Sequence, residues 1–362
     1  MQELVCQIFN PERRNIMKGV ILCAGKGTRI QPFSSSLPKT LLPVANQPIL
    51  NDCIMKMKKA GITEIGIVMN PGQKEIINYI SFIHKDLKIQ YIYQTEQLGI
   101  AHALSQAESF ISNDSFILML GDNIILEPLE TLIQAFKGNK GAILLSEVKN
   151  GSDFGIAEIK NHQVISLEEK PKHPKSNLAV IGMYIFDGSI FDAIRNISLS
   201  KRGEYEITDA IQWMINQDYP ISYSITKEPF SDVGTIGRWL AANEWVLSKM
   251  LGDKVQVGSN TILENCTLEG PVLIGNNCIL KNAKIGPYIS IQDDSSLINC
   301  MVEHSILLKN TKIMNVSPLL SNSIFGFNTK LIGINEEIRN LQFILGSFSQ
   351  IKNSSDFNEE GK

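Results

Sequence analysis

The first two thirds of the chain alternate short apolar runs with amphipathic segments. Strands are predicted in seven apolar runs: residues 19–23, 62–69, 88–93, 115–120, 141–148, 179–186 and 221–226. Helices are predicted where apolar residues recur at helical spacing: residues 47–60, 72–84, 99–110, 128–137, 207–217 and 235–250. Strands that alternate with helices are typical of an α/β fold with a doubly wound, mostly parallel sheet. Such sheets bind ligands at the carboxyl ends of their strands.

After residue 254 the pattern changes to a period of six residues. One predicted column holds Val255, Thr261, Thr267, Leu273, Ile279, Ile285, Ile291 and Leu297. Flanking it are Ile262, Leu268, Ile274 and Leu280, while a turn column holds Gly258, Gly270, Asn276 and Asn282. After a phase slip near residues 298–302 the repeat resumes with Leu307, Ile313, Leu319, Phe325 and Leu331. This period predicts a parallel β-helix whose column side chains share one core, and alternation over residues 341–345 predicts a last strand.

These patterns divide the 362 residues into two predicted domains. The α/β domain is predicted over residues 17–252 and the β-helix over residues 253–350. Residues 1–16 are polar and irregular and are predicted to form an N-terminal extension, and residues 351–362 a flexible tail. A hydrophobic content of 43% is enough to fill both cores.

Composition narrows the possible partners. A net charge of −3 gives no reason to expect nucleic acid or an anionic membrane surface. The six cysteines are scattered without a CxxC pair, and Cys23 and Cys53 lie in apolar runs that predict small core residues. There is no secretory pattern and no run of 18 apolar residues, so we expect a soluble cytoplasmic protein.

A glycine loop follows the first predicted strand. Gly25 and Gly27 remove side chains where backbone N–H groups could meet phosphate oxygens. Arg29 at the end of the loop and Lys39 ten residues later would add positive charge to the same place. A bare GxG is usually an ordinary turn, but the surrounding pattern is much longer, so we expect a phosphate-binding loop.

The longer pattern resembles a known family. AGxGTR from Ala24 to Arg29, followed by Pro32, Pro38-Lys39 and the run 42–44 (Leu-Pro-Val), is similar to sugar-phosphate nucleotidyltransferases. The likeness is closest to the long-form glucose-1-phosphate thymidylyltransferases and covers roughly residues 17–350. It implies a Rossmann-like nucleotidyltransferase domain followed by a left-handed parallel β-helix. The loop is neither a Walker A motif, which ends in GK[ST], nor a dinucleotide-binding GxGxxG.

Two aspartates follow predicted strands. Asp122 lies in Gly-Asp-Asn and Asp232 in Ser-Asp-Val-Gly-Thr. Mg²⁺ takes oxygen ligands, commonly one or two carboxylates together with substrate phosphates. Either aspartate alone is more often a turn or cap residue. The resemblance implies that both bind Mg²⁺ and that both are catalytic.

The remaining binding roles also come from the resemblance. Gln94 and Gly99 are expected to contact the base, because an amide can donate and accept at once and glycine admits a flat ring. His102, in the next helix, is expected to be structural. The implied nucleotide-binding residues are Gly25, Gly27, Thr28, Gln94, Gly99 and Asp122.

The sugar phosphate is expected further along the chain. Glu169 can accept hydrogen bonds from sugar hydroxyls and Lys170 can neutralise the phosphate, although both would otherwise be taken for a solvated turn. The implied sugar-phosphate-binding residues are Asn123, Gly155, Glu169, Lys170, Asn177 and Val180. Residues 202–209 also match the family, and there Thr208 and Asp209 are predicted to cap the following helix.

The reaction implied by the resemblance needs no protein nucleophile. A phosphate oxygen of a sugar 1-phosphate attacks the α-phosphorus of a nucleoside triphosphate, and pyrophosphate leaves. Arg29 would act on the leaving pyrophosphate and Lys39 on the phosphates at the reacting centre.

Alternatives remain at this point. Ala24, Ile30 and Thr40 depart from the thymidylyltransferase pattern, so dTTP is favoured over UTP and glucose 1-phosphate over other sugars only by overall likeness. One rival is a uridylyltransferase acting on glucose or N-acetylglucosamine 1-phosphate, with an acetyltransferase β-helix. That second activity would need a catalytic histidine there, and His304 is the one histidine available. Another rival is a non-catalytic regulatory subunit. The flat faces and open ends of a β-helix predict a homo-oligomer.

Overall fold

The chain folds into two compact units, each built from two separate stretches of the sequence. The computed structural model describes residues 17–335 and 338–353. The first unit contains the described residues up to Gly25 together with Leu50–Phe230, and the second contains Lys26–Ile49 together with the described residues from Ser231 onward. The predicted extension over residues 1–16, and residues 354–362 of the predicted tail, lie outside the described residues.

The helices match the predicted ones closely. In chain order they are α1 (Ile49–Lys59), α2 (Lys74–Ile83), α3 (Ile100–Ser105), α4 (Glu108–Ile111), α5 (Leu129–Phe136), α6 (Ser189–Asn196), α7 (Ile207–Asn216) and α8 (Ile236–Leu251). The predicted helix over residues 99–110 is two helices, α3 and α4, and α6 was not predicted. Among the described residues, no helix combines the length and apolar character that a membrane span requires.

The strands confirm all seven predicted runs and add others. Those up to residue 231 are β1 (Lys18–Leu22), β2 (Pro43–Val44), β3 (Gln47–Pro48), β4 (Glu64–Met69), β5 (Lys88–Tyr93), β6 (Phe116–Leu120), β7 (Ile124–Ile125), β8 (Gly141–Glu147), β9 (Gly155–Lys160), β10 (Gln163–Glu169), β11 (Leu178–Phe186), β12 (Ile221–Thr226) and β13 (Phe230–Ser231). The hairpin of β9 and β10 was not predicted.

One sheet runs through the first unit in the order β10–β9–β11–β6–β1–β4–β5, with β8 beside β11 and β12 beside β8. Its centre is parallel: β1 pairs with β4 and β6, and β4 pairs with β5. By contrast, β11 runs antiparallel to β6 and β8. The predicted α/β fold with a Rossmann-like parallel centre is confirmed, and the carboxyl ends of β1, β5 and β6 lie at one edge of the sheet.

Apolar side chains on the sheet and its helices form the core of this unit. Val20, Leu118, Ile143 and Phe186 are fully buried in one cluster that also takes residues from α3, α6 and α7. Cys23 and Cys53 are 1% and 0% exposed, which confirms them as core residues. Burial raises the pKa of the Cys53 thiol well above its usual range.

The segment Lys26–Ile49 is anchored on α8 within the second unit. It forms three short 3₁₀ turns: Thr28–Ile30, Phe33–Ser35 and Lys39–Leu41. The Phe33 ring meets the Trp239 ring edge-on at 5.1 Å, and the Trp239 indole N–H donates to the Pro43 carbonyl at 2.7 Å. Both aromatic side chains are almost fully buried. A fixed aromatic pair therefore holds the segment that follows the glycine loop.

The rest of the second unit is a stack of parallel strands, consistent with a left-handed parallel β-helix. These strands are β14 (Val255–Val257), β15 (Ile262–Glu264), β16 (Thr267–Leu268), β17 (Val272–Ile274), β18 (Ile279–Lys281), β19 (Lys284–Ile285), β20 (Ile289–Ile291), β21 (Ser296–Glu303), β22 (Ile306–Leu307), β23 (Lys312–Ser321), β24 (Ile324–Phe325), β25 (Lys330–Ile334), β26 (Asn340–Leu341), β27 (Ile344–Leu345) and β28 (Gln350–Lys352). The single last strand predicted over residues 341–345 is instead two short strands, β26 and β27, and β28 follows them.

The predicted six-residue column is only partly the inward one. Val255 pairs with Val272, and Val272 with Ile289, so the early coils advance by 17 residues, one short of three hexads. Because each of these coils is one residue shorter than three hexads, the inward position moves by one residue per coil relative to a strict six-residue column. Ile279, predicted inward, is 36% exposed, whereas its neighbour Leu280 is fully buried. Leu273, also from that column, instead packs with Ala45 and Leu247 of the same unit.

Asparagines occupy one turn of successive coils. Asn265, Asn282, Asn299 and Asn315 all have φ between 50° and 55°, a left-handed conformation that asparagine tolerates well. Each side-chain amide donates to the next asparagine, at 2.8, 3.1 and 2.6 Å. This ladder keeps the turns of neighbouring coils in register, so the turn residues contribute to stacking as well as to chain reversal.

Candidate functional site

The predicted nucleotide residues of the first unit follow the carboxyl ends of parallel strands. Gly25 comes after β1, Gln94 after β5 and Asp122 after β6. A methyl group at Gly25 would meet nothing within 4 Å, so this glycine faces open space. The preceding Ala24 carbonyl accepts a hydrogen bond from the Gln97 amide at 2.5 Å. The start of the glycine loop is therefore held by the segment that carries the predicted base contacts.

Gln94 is a buried amide held by a histidine. Its side chain is 3% exposed, and its Nε2 lies 3.0 Å from His102 Nδ1. The His102 ring in turn stacks on Tyr205 with ring centres 6.5 Å apart. His102 was predicted to be structural, and the contact shows what it supports, because it orients the amide predicted to contact the base.

Gly99 lies where no side chain fits. Its φ is 102°, and a methyl group there would lie 2.6 Å from the Tyr205 carbonyl oxygen. Two backbone hydrogen bonds join the same segments: Tyr205 N donates to Leu98 O at 2.7 Å, and Ala101 N to Tyr205 O at 3.1 Å. The glycine therefore permits a close approach between the predicted base-contact segment and residues 204–206.

Asn123 has an unusual environment beside Asp122. Its side chain is 6% exposed, and Oδ1 is one of three buried side-chain polar atoms in the described part of the chain that lack a hydrogen-bond partner, the others being Thr40 Oγ1 and Asn46 Oδ1. A methyl group at Gly182 would collide with the Asn123 amide nitrogen, so that glycine makes room for it. A buried acceptor without a partner is costly, which suits an atom that meets a ligand hydroxyl.

Three of the predicted sugar residues, Gly155, Glu169 and Lys170, lie at one end of the β9–β10 hairpin. Gly155 pairs with Glu169 across the two strands, and a methyl group at Gly155 would lie 3.1 Å from Glu169 Oε2. Thr208 Oγ1 donates to the same Oε2 at 3.1 Å. The prediction that Thr208 and Asp209 cap α7 is wrong. The helix begins at Ile207 after Glu206, so both lie inside its first turn, where Thr208 is buried against Glu169.

The residues around Glu169 differ in exposure and conformation. Lys170 has φ of 43°, and its N–H donates to the Phe154 carbonyl at 3.0 Å, while its side chain is 41% exposed. Val180 is buried on β11, and Asn177 is exposed just before that strand. The hairpin turns the Lys170 ammonium outward beside a carboxylate, an arrangement suited to a bound phosphate.

The glycine loop continues in the second unit. Gly27 has φ of 63°, and a methyl group there would lie 3.2 Å from the Cβ atoms of Lys39 and Ser34. The side chains of Thr28 and Arg29 are exposed, whereas Lys39 is only 8% exposed. Gly27 therefore lets the loop close over the backbone that carries Lys39.

Asp232 lies beside two arginines in the same unit. Both of its oxygens accept from Arg238 Nη1, at 2.6 and 2.8 Å. A methyl group at Gly234 would lie 3.3 Å from both Asp232 Oδ2 and Arg29 Nη2. The structure thus brings Arg29 and Asp232 together, and it adds Arg238, which the sequence analysis missed.

The sequence did contain a signal for Arg238. It lies in the first turn of α8, where a cation opposes the helix dipole, so helix stability does not explain it. Thr208 and Arg202, which both contact Glu169, were missed as individual contacts because the contact spans 33 or more residues of chain. The predicted site residues are divided between the two units, and the contacts described above join some of them within each unit.

The carboxylates of the site offer hard oxygen ligands in small numbers. Over residues 17–335 and 338–353, no group of three or more His, Cys, Asp or Glu side chains could hold a metal ion by itself. An ion that takes one or two carboxylates and completes its shell with substrate oxygens and water still suits such a site, as Mg²⁺ does.

Comparison with known proteins shows a consistent set of relatives. The model of a family described as nucleotidyl transferase matches residues 18–249. The low-salt glycan biosynthesis nucleotidyltransferase Agl11 of Haloferax volcanii is 36% identical over 361 residues, covering 93% of this chain and all of that protein. A glucose-1-phosphate thymidylyltransferase of Streptomyces griseus is 32% identical, and the match covers 94% of this chain and 100% of that protein. The bifunctional protein GlmU of Methanococcus aeolicus is 34% identical, and the match covers 90% of this chain and 81% of that protein.

Solved structures agree with the fold. A Bacillus anthracis structure provisionally named a glucose-1-phosphate thymidylyltransferase superposes with a TM-score of 0.58 at 34% identity, covering 63% of this chain and 94% of that one. A UDP-glucose pyrophosphorylase complexed with UDP-glucose superposes with a TM-score of 0.59 at 24% identity, covering 65% and 99%. At that identity the second likeness bears on the fold alone.

Proposed function

Because this chain belongs to the nucleotidyl transferase family, we propose that it transfers a nucleotidyl group from dTTP to glucose 1-phosphate. The products would be dTDP-glucose and pyrophosphate. The observation that carries this proposal is the group formed by Gly155, Glu169 and Thr208. The missing side chain at Gly155 lets Thr208 approach and donate to the half-buried Glu169 carboxylate, whose remaining lone pairs can accept from a ligand. The full-length likeness to a protein named glucose-1-phosphate thymidylyltransferase supports the choice of substrates.

Each group of residues has a proposed task in this reaction. Glu169 and Asn123 Oδ1 accept hydrogen bonds from sugar hydroxyls. Gly155, Asn177 and Val180 form walls, and Lys170 neutralises the sugar phosphate. Gln94 and Gly99 bind the base, and the loop of Gly25, Gly27 and Thr28 binds the triphosphate. Arg29 stabilises the leaving pyrophosphate and Lys39 the phosphates at the reacting centre.

We further propose that Asp122 and Asp232 serve as ligands to Mg²⁺. The bound ion would supply charge neutralisation on substrate phosphates, and the carboxylates supply the oxygen donors that it prefers. Asp232 already accepts two hydrogen bonds from Arg238, so that guanidinium would hold the carboxylate in a fixed orientation.

The metal proposal is tested with Asp122→Asn and Asp232→Asn. Each should lower turnover on the order of a hundredfold or more, because a ligand charge is lost where phosphate charge redistributes. Each should also weaken binding of Mn²⁺, followed by electron paramagnetic resonance with a non-hydrolysable dTTP analogue. Near-normal turnover together with unchanged Mn²⁺ binding in either variant would refute the assignment.

The substrate proposal is tested by a matrix of four nucleoside triphosphates against several sugar 1-phosphates, with pyrophosphate release as the measurement. The highest kcat/KM is expected for dTTP with glucose 1-phosphate. A preference for another sugar or nucleotide would contradict the finer assignment and leave nucleotidyl transfer intact. No pyrophosphate release with any pair would favour the non-catalytic alternative.

A second candidate is favoured by the likeness to the archaeal proteins named GlmU, of which this chain covers 81%. On that alternative UTP and N-acetylglucosamine 1-phosphate would give the highest kcat/KM. An acetyltransferase would also use His304, whose Nδ1 lies 3.7 Å from Glu244 Oε2 and whose ring lies 4.9 Å from the Tyr288 ring. We expect no acetyl transfer, and acetyl transfer from acetyl-CoA that is lost in His304→Ala would support the alternative.

A further inference from the structure

One arginine lies among several carboxylates beside the proposed sugar site. Arg202 Nη1 donates to Glu169 Oε1 at 3.0 Å and lies 3.4 Å from Glu206 Oε1, and Nη2 lies 3.6 Å from Glu204 Oε2. The guanidinium is 41% exposed, whereas the Glu169 and Glu206 side chains are 19% and 5% exposed. This cation thus compensates two carboxylates, Glu169 and Glu206, that are much less solvated than it is.

Glu169 is held through both of its oxygens. Arg202 donates to Oε1, and Thr208 donates to Oε2 at 3.1 Å. A carboxylate has about four lone-pair positions, so two contacts fix its plane and leave acceptor capacity for a ligand. Of the two donors, the arginine is the charged one, and charge-assisted hydrogen bonds are the stronger kind.

The ionisable groups near Glu169 are mostly acids, and Arg202 helps to compensate their charge. Glu206 and Asp209 face it from the start of α7, Tyr184 from β11, and the Lys170 ammonium lies 4.0 Å away. Burial and the nearby charge of Glu169 raise the pKa of the Glu206 and Asp209 carboxyl groups. Arg202 offsets the repulsion between Glu169 and these carboxyl groups and thereby favours the observed orientation of Glu169.

The same segment also joins the proposed base contacts. Tyr205 exchanges two backbone hydrogen bonds with residues 98 and 101, on either side of Gly99. Ser200 Oγ donates to Glu206 Oε1 at 2.9 Å, and its hydroxyl oxygen accepts from the Arg202 N–H at 3.1 Å, so the turn that carries the guanidinium is itself fixed. Arg202 is therefore held on a short, braced loop rather than on a free surface.

We infer that Arg202 is a positioning residue that orients the Glu169 carboxylate toward the hydroxyls of the bound sugar. This inference rests on the proposed function, because it takes Glu169 as a ligand of the sugar. Arg202 itself contacts the carboxylate and not the reacting atoms. It acts on recognition of the sugar phosphate, while the nucleotide is bound by other side chains.

A double-mutant cycle tests the inference in the full-length protein. Arg202→Ala, Glu169→Gln and the double variant are compared with wild type for KM of the sugar 1-phosphate, KM of the nucleotide, and kcat. Loss of a charge-assisted contact should raise the KM for the sugar 1-phosphate about tenfold or more in Arg202→Ala, with the nucleotide KM changed less than about threefold. In the Glu169→Gln background the same substitution should change the sugar KM less than about twofold, because its target carboxylate is already gone.

Two further variants serve as controls. Arg195→Ala removes an exposed arginine that pairs with Glu108 and Asp192 on the same unit, and it should leave both KM values unchanged. Arg202→Lys keeps the charge without the planar fork, so its KM for the sugar should fall between wild type and Arg202→Ala. Thermal melting of every variant identifies loss of fold, and if Arg202→Ala melts early the comparison is made with Arg202→Lys.

The outcomes separate this inference from the proposed function. If Glu169→Gln raises the sugar KM and neither Arg202 variant does, the positioning role is overturned while the proposed function stands. Equal additive effects of Arg202→Ala in both backgrounds would also overturn it. If Glu169→Gln leaves the sugar KM unchanged, both the role of Glu169 and the inference fall.

Discussion

At the scale of single residues, Asp232 is notable because it lies beside two guanidinium groups. Arg238 binds both of its oxygens, and Arg29 lies across Gly234 from it. Two cations beside one carboxylate leave a net positive charge, which attracts the phosphates of a nucleotide. The carboxylate in turn keeps the two cations close together. This residue group is thus suited to bind phosphate even before a metal ion is considered.

The phosphate-binding role of the loop can be tested through its cations. Arg29→Ala and Lys39→Ala should each lower kcat/KM at least about a hundredfold, because their charge is needed where phosphate charge redistributes. The matched control is Lys58→Ala, since Lys58 is an exposed lysine of α1 that pairs with Asp86, and its loss should change kcat/KM less than about twofold. Similar small effects at all three positions would mean that the loop is only structural.

A buried histidine predicts a measurable pH dependence of stability. His84 is 4% exposed and bonded to Asn51, and burial lowers its pKa below the ordinary value of 6.5. The unfolded chain therefore takes up this proton first as the pH falls below 6.5, and the free energy of unfolding declines. Urea unfolding at pH 7.5 and 5.5 should show a smaller decline for His84→Gln than for wild type.

The control for this measurement is His173→Gln, since His173 is exposed. The free energy of unfolding of this variant should decline between pH 7.5 and 5.5 as much as that of the wild type. An identical pH dependence in wild type and His84→Gln would contradict the assigned cause.

Several residue-level features could be predicted from the sequence and others could not. Gly27, Arg29 and Lys39 belong to one continuous motif, so local spacing was enough to group them. Arg202 contacts Glu169 across 33 residues of chain, and no local pattern indicates such a pair. The position of Arg238 in the first turn of α8 is a local signal, but it does not identify Asp232 as the partner. The sequence alone therefore predicted which residues belong to the site better than it predicted which side chains contact them.

At the scale of elements, the contact between Gly99 and Tyr205 joins two segments of the first unit. Gly99→Ala combines a positive φ of 102° with a collision at the Tyr205 carbonyl oxygen. The matched control is Gly61→Ala, which has a φ of 80° and nothing within 4 Å. Gly61→Ala should cost about 1–2 kcal/mol of stability from backbone strain alone. Gly99→Ala should cost more and also raise the KM of the nucleotide, since the predicted base segment must move.

Denaturant unfolding and nucleotide kinetics of the two variants make the comparison. Equal stability losses would show that the close approach at Gly99 is easily relaxed. An unchanged nucleotide KM in Gly99→Ala would argue against a role of this segment in binding the base.

The elements themselves were predictable to different degrees. Strands such as β1 and β6 lie in apolar runs, so the pattern predicted their existence, with ends that differ by one residue or less. The inward column of the β-helix was assigned from a constant period of six, but coils of 17 residues move it by one position each turn. Ile279 and Leu280 are both apolar, and only the strand pairing decides which of them is buried.

At the scale of the whole molecule, the β-helix also makes hydrogen bonds that hold residues 45–46 and Asn243 of α8. Within the second unit, Asn46 Nδ2 donates to the Ile291 carbonyl at 2.8 Å, and Ser290 Oγ bonds to Asn243 Oδ1 at 3.0 Å. Asn243 Oδ1 also accepts from the Ala45 N–H at 2.9 Å. The segment that carries Arg29 and Lys39 is thus connected to coils far along the sequence.

A chain that ends at residue 252 tests this support. It should keep measurable nucleotidyl transfer, because all proposed site residues precede that point. It should also melt at a lower temperature and assemble to a lower order than the full chain, which we predict to be a homo-oligomer. The first coil favours assembly, because Val257, Ile262 and Leu263 are 39%, 53% and 41% exposed.

Light scattering, thermal melting and pyrophosphate release on both chains provide the comparison. A full-length protein that is monomeric at micromolar concentration would refute the predicted assembly. A truncated chain with the melting temperature of the full chain would show that the contacts of Asn46 and Asn243 contribute little.

Because each unit is built from two separate stretches of chain, the choice of junctions matters when parts of related proteins are combined in a chimera. The backbone passes from one unit to the other after Gly25, after Ile49 and after Phe230. A chimera made by joining one relative's first 252 residues to another's β-helix would therefore mix two parental sequences inside the second unit. Residues 26–49 and 231–251 would face foreign coils. Grafting residues 26–49 along with everything from Ser231 onward keeps the inherited packing together, so two separate stretches of the gene should be transferred as one set.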